Sequence, residues 1–193
     1  MTSQTDETTS LPEISTPRER QGVLKQRYRD DPGSARQTTA VYSVTDDVTD
    51  PTRVRIAVDG PSGAVIDIGA HHSVGGDGEL PCSGDIFLAA LAGCQEITIR
   101  LVASALGLPL HRLAVRVEGD WDARGTLAVD RETPVGYTAI RIDVELQTDG
   151  PDDRVERLLK AAERYCVVGA TLGDAPTVAF NATVNGELQQ APS

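Results

Sequence analysis

The chain has 193 residues, of which 39% are hydrophobic and 4% aromatic, with a formal net charge of −11 and three cysteines. That length suits one domain with a core of its own, and the apolar content excludes a chain disordered over most of its length. The acidic balance, with no basic run and few rings for base stacking, excludes nucleic acid as the expected partner.

Residues 1–20 are polar with scattered prolines and no apolar period, so a disordered tail is expected there. Residues 21–37 read as an N-terminal extension with a short helix from Val23 to Tyr28, halted at Asp31-Pro32. A domain is expected over residues 38–188, followed by a short tail at 189–193. It opens with three strand patterns: Ala40, Tyr42 and Val44; then Val54, Ile56 and Val58; then Ala64 to Ile68 after the turn Asp59–Gly63. Alternation joined by Gly and Pro turns predicts an antiparallel meander.

The loop His71–Gly78 leads into the strongest helix signal, Ser83 to about Leu106, with Ser83 as the expected N-cap and Gly107 and Pro109 as the stop. Its first half is apolar on every side, which places it between other elements. The run Ile86–Ile99 is broken by Gln95 and Glu96 and reads as too short and too polar for a bilayer. The first ten residues lack a basic region followed by an apolar one, so no membrane and a cytoplasmic location are expected.

Strands are predicted over Leu113–Glu118 and Ile140–Leu146. A second helix is predicted from about Asp152 to Val167, with Val155, Leu158, Leu159, Ala162, Tyr165 and Cys166 on one stripe. A last strand is predicted over Val178–Val184. The order, strands, long helix, strands, helix, strand, makes an α+β domain.

Cys94 lies inside the apolar helix and Cys166 near the end of the amphipathic one. If the two helices pack together, the sulfurs meet. One thiolate can then attack a peroxide and become a sulfenic acid, which the second thiol condenses to a disulfide. A free cysteine is also a common small hydrophobe of the core, and position alone leaves both cysteines open to that reading. His71, His72, His111 and Cys82 match no common zinc spacing, so no metal and no cofactor are expected. Adjacent histidines in an extended loop should also point opposite ways. Cys82 beside a helix N-terminus is either a reactive thiol or a loop residue without a role.

The run from Gly78 to Cys94, ending Ala90-Leu91-Ala92-Gly93-Cys94, resembles the central helix of the OsmC/Ohr family. Val117–Asp120, Arg124–Leu127 and Gly136-Tyr137 resemble its middle strands, and Ala162–Cys166 with Thr171-Leu172 resembles its second-cysteine helix. The resemblance implies an intertwined homodimer with antiparallel sheets wrapped around two central long helices. It also implies an organic hydroperoxide substrate, Cys94 as peroxidatic thiol, Cys166 as resolving thiol, and a dithiol reductant, either a small thiol or a lipoylated protein. The sequence departs from the family pattern at Gly84, where the Ohr branch has Glu, and at Val167, where Pro often follows the second cysteine. Arg53 and Arg55 are the candidates for an activating arginine. Two rival functions share the fold: a non-catalytic protein binding an apolar small molecule, and a redox sensor.

Overall fold

The computed structural model describes residues 16–189. The tail expected over residues 1–20 lies outside them up to residue 15, and its last four residues are not a tail but the start of a helix. That helix, α1 (Pro17–Asp30), begins earlier than expected because Thr16 and Glu19 form a capping box and Pro17 occupies the first helical position. It buries none of its residues. The chain then forms the expected antiparallel meander of β1 (Ala40–Ser43), β2 (Arg53–Asp59) and β3 (Val65–Gly69), with Tyr42 opposite Ala57 and Ile56 opposite Ile66.

Helix α2 (Ser83–Leu106) has the expected bounds, but its N-cap is Cys82, not Ser83. The Cys82 sulfur accepts from the Asp85 N–H at 3.4 Å, and the Asp85 carboxylate accepts from the Cys82 N–H at 2.9 Å. A helix end needs acceptors for its free N–H groups, and a sulfur one residue earlier serves that need. At the other end Gly107 takes the left-handed conformation (φ 62°), and the Gly107 and Leu108 N–H groups close back onto the last turn. At 24 residues with few charges, α2 has the length and apolarity of a membrane span, more than the Ile86–Ile99 run alone suggests. It packs against other elements of the chain, as the central helix of a folded domain does.

Strand β4 (Arg112–Asp120) follows, then the short helix α3 (Ala123–Thr126), and β5 (Ala139–Gln147) pairs antiparallel with β4 along its whole length. Helix α4 (Asp152–Tyr165) stops one residue short of Cys166, and α5 (Val167–Gly173) starts one residue after it. The expected single helix to Val167 is therefore two, with Cys166 as the joint. The last expected strand is shorter than 178–184: only Ala182–Val184 (β6) is a strand, paired with β7 (Glu187–Gln189) in a hairpin. Val178 and Phe180 are 87% and 73% exposed, so the chain offers their apolar side nothing to pack on.

The core lies between α2, α4 and the β4–β5 sheet. Ile99, Ala103, Leu108, Leu158 and Ala162 form its buried centre, with Leu113, Val115, Val144 and Leu146 of the sheet packed against it. The buried residues of α2 are Leu91, Gln95, Ile99 and Ala103, spaced four apart on one face. Ala89, Ala90, Gly93 and Ile97 on the remaining surface are exposed. The fold is α+β with antiparallel sheets, as the sequence implied.

Candidate functional site: two thiols at a helix joint

Cys94 sits midway along α2, one position before the buried Gln95. The joint between α4 and α5 comes to rest against this part of α2 and places Cys166, which is fully buried, beside Cys94. All three cysteines carry free thiols.

The joint has a simple local cause. Cys166 adopts extended backbone (φ −71°, ψ 107°), which ends α4, and its sulfur accepts from the Gly169 N–H at 3.4 Å, which starts α5. The first N–H groups of α5 have no partners within the helix and are aimed outward. Those of Val167 and Val168 face the Cys94 sulfur. Thr98, one turn further along α2, donates to the Cys94 carbonyl at 2.7 Å and its side chain also reaches the Cys94 sulfur.

These contacts push the two thiols apart in acidity. Burial alone raises the Cys94 thiol, but the Val168 N–H, the Cys166 thiol and the Val167 N–H outweigh it, so Cys94 ends below the ordinary cysteine value. Burial pushes Cys166 up; the Gly169 N–H acts against that, and the neighbouring Cys94 adds to it. The pair therefore loses its first proton from Cys94 while Cys166 keeps its own and donates toward Cys94. A lowered thiol within reach of a protonated one is an arrangement able to attack an electrophile and then close a disulfide.

The sequence pointed to arginines for this activation, and the structure employs both elsewhere. Arg53 binds Asp77 and Glu79, and Arg55 binds Asp67 at 2.9 Å. Neither is among the principal groups acting on Cys94. The donors that do act are backbone N–H groups, which any residue but proline carries, so no residue type could have marked them. A helix break at Cys166 was the one signal available, and Val167-Val168 without a Gly or Pro concealed it.

The remaining candidates lie apart from the pair. Cys82 is twelve residues before Cys94 on the same helix, about 18 Å along its axis. A Cβ at Gly84 would stand 2.5 Å from the Tyr137 hydroxyl, so a side chain there requires that ring to shift. His71 and His72 do not point opposite ways: their rings are 4.1 Å apart, because a turn of 3-10 helix starts at His72 and the chain is not extended there. His111 pairs with Asp149 at 2.8 Å. Among the described residues no group of three His, Cys, Asp or Glu is placed to hold a metal.

The family model described as OsmC-like protein matches residues 76–181, which takes in α2, both paired thiols and the β4–β5 sheet. The chain belongs to the OsmC-like protein family. No curated protein matches it in sequence. Among solved structures, it is similar to an OsmC-like protein from Mycoplasma pneumoniae at 16% identity and a TM-score of 0.56, covering 72% of this chain and 89% of that one. It is similar also to an OsmC-like protein of unknown function from Vibrio cholerae at 13% identity and a TM-score of 0.55, covering 70% and 94%. At those identities the likeness is one of fold.

Proposed function

We propose that this OsmC-like protein is a thiol-dependent peroxidase that reduces organic hydroperoxides in a reducing, cytoplasmic compartment. The observation that carries the reading is the placement of two free thiols together, Cys166 buried at the α4–α5 joint and Cys94 on the helix it packs against, with Cys94 the more acid of the two. The Cys94 thiolate attacks the terminal peroxide oxygen and the O–O bond breaks. The alcohol leaves once protonated, and Cys94 becomes a sulfenic acid. Cys166 then attacks that sulfur, water leaves, and a Cys94–Cys166 disulfide remains. A dithiol, small or protein-bound as in a lipoylated partner, takes over the disulfide and returns both thiols. The family resemblance supports the choice of organic hydroperoxides as substrate.

The same proposal includes a homodimer. Nineteen large apolar side chains among the described residues are 40% or more exposed, while eight hydrophobic residues are buried. A second chain laid along the exposed Ala89, Ala90, Gly93 and Ile97 face of α2 would cover part of that surface. Small residues there permit a close helix approach.

The test is intact mass and peptide mapping after one equivalent of cumene hydroperoxide. Wild-type protein should lose two hydrogens, mapped to Cys94–Cys166. Cys94→Ser should consume no peroxide, and Cys166→Ser should complete one turnover and stop as a sulfenic acid. Peroxide consumption by Cys94→Ser at the wild-type rate would overturn the reading.

A further inference from the structure

A cavity opens at the start of α2, and neither Cys94 nor Cys166 lines it. Its volume is about 450 Å³, inside the range that small-molecule sites occupy. The walls are largely apolar and aromatic: Leu88 and Val135, with the rings of His71, Trp121 and Tyr137. These rings are braced. Tyr137 stacks on Phe87 with ring centres 5.8 Å apart, and His71 meets Trp121 edge to face at 5.2 Å. Tyr137 can lie this close to the backbone because Gly84 and Gly119 have no side chains. A Cβ on Gly119 would come within 2.6 Å of the ring. The flat wall is thus built into the sequence at two glycines.

The polar atoms of these rings are the informative ones. Among the described residues, neither the Tyr137 hydroxyl nor the Trp121 indole N–H has a hydrogen-bond partner. The His71 Nδ1 accepts from the Ser73 N–H at 3.1 Å, so the neutral ring carries its proton on Nε2, a third donor. Burial pushes the Tyr137 hydroxyl above the ordinary tyrosine value, and Cys82 and Asp85 push it the same way, so it stays protonated and able to donate. Aromatic residues in ligand sites commonly combine an apolar body with such a polar tip. The Asp85 carboxylate also lines the cavity and repels an anion.

We propose that this cavity is a binding site for a flat, uncharged aromatic molecule carrying a carbonyl-type oxygen. The rings and aliphatic walls take its body, and the Trp121, Tyr137 and His71 donors take its oxygen. The Cys82 sulfur lies in the same wall.

Coumarin has these features and serves as the probe, and Trp121, the only tryptophan in the sequence, reports on the cavity alone. Titration of the whole protein with coumarin, followed by tryptophan fluorescence, should give saturable quenching at one site per chain. Tyr137→Phe should weaken it about three- to tenfold, the worth of one hydrogen bond. Val135→Phe, at an exposed position on the wall, should abolish it while far-UV circular dichroism stays unchanged. Saturating coumarin should also slow modification of Cys82 by N-ethylmaleimide and leave the Cys94 rate alone. Quenching that rises linearly without saturation, as for free tryptophan amide, would overturn the proposal. So would saturable quenching of equal strength in all three proteins, or a Cys82 rate that coumarin does not change.

Discussion

Cys94 and Cys82 lie on one helix and face different worlds. Around Cys94 the chain is packed: Leu91 and Ile99 are buried on the neighbouring face, Cys166 is fully buried beside it, and two backbone N–H groups of α5 face its sulfur. Around Cys82 the chain is open: a cavity of about 450 Å³ lies against it, and its sulfur accepts one N–H of its own helix. What separates a paired thiol from a solitary one in this molecule is therefore the backbone brought to it. The joint at Cys166 delivers both the second sulfur and the donors that lower the first. The segments that reach the start of α2, the end of β3 at Gly69 and the ring of Tyr137, bring no second sulfur.

That contrast can be broken most severely at the packed end. Leu158 is completely buried where α4 meets α2, and Leu158→Ala should lower stability by about 2–5 kcal/mol. Truncation of the half-buried cavity residue in Leu88→Ala should cost less, about 1–2 kcal/mol, since fewer contacts are lost. Urea denaturation of both variants checks the order, and equal losses would mean that the two ends are packed alike.

A finer test removes one donor from Cys94 without touching either sulfur. Val167 is the first residue of α5, and Cys166 before it is already extended, so proline is compatible with the backbone there. Val167→Pro deletes an N–H that favours the thiolate, and the Cys94 thiol should become less acid. A hydrogen bond to a charged group is worth about 1.5–3 kcal/mol, or about one to two pH units. The pH midpoint of Cys94 alkylation by iodoacetamide should rise by that amount, and Cys82 alkylation should keep its midpoint. A Cys94 midpoint that does not move would remove the backbone from the account of its acidity.

The smallest effect belongs to the cap. The Cys82 N–H holds the Asp85 carboxyl below the usual aspartate range, against a smaller opposing effect of burial. A depressed carboxyl stabilises the fold fully above its unfolded value, near 3.9, and that contribution fades as pH falls through the folded value. Asp85→Asn should melt slightly lower than wild type at pH 7, and the gap should close below about pH 4. A gap constant from pH 7 to pH 2 would show that the loss is not electrostatic.

Much of this fold was legible residue by residue. The alternation of Val54, Ile56 and Val58 gave the middle strand, and Gly107 with Pro109 gave the end of α2, because both signals are local. The start of α1 was missed although Thr16, Pro17 and Glu19 spell a capping box, since the polar composition around them suggested a tail. The resemblance gave the two sulfurs of the candidate site. Its donors were hidden, because backbone N–H groups belong to no residue type and the break at Cys166 has no Gly or Pro beside it. The long final strand failed for a similar reason: the alternation at Val178 and Phe180 is present, but a strand needs a surface to lie on.

The cap on α2 has one more consequence. Serine, threonine, aspartate and asparagine are the strong N-caps, and sulfur is a weak acceptor, so Cys82 starts the longest helix less firmly than Cys82→Ser would. Such local frustration is concentrated where proteins do chemistry. Here it ties the start of the helix that carries Cys94 to the chemical state of the Cys82 sulfur, the acceptor of the Asp85 N–H.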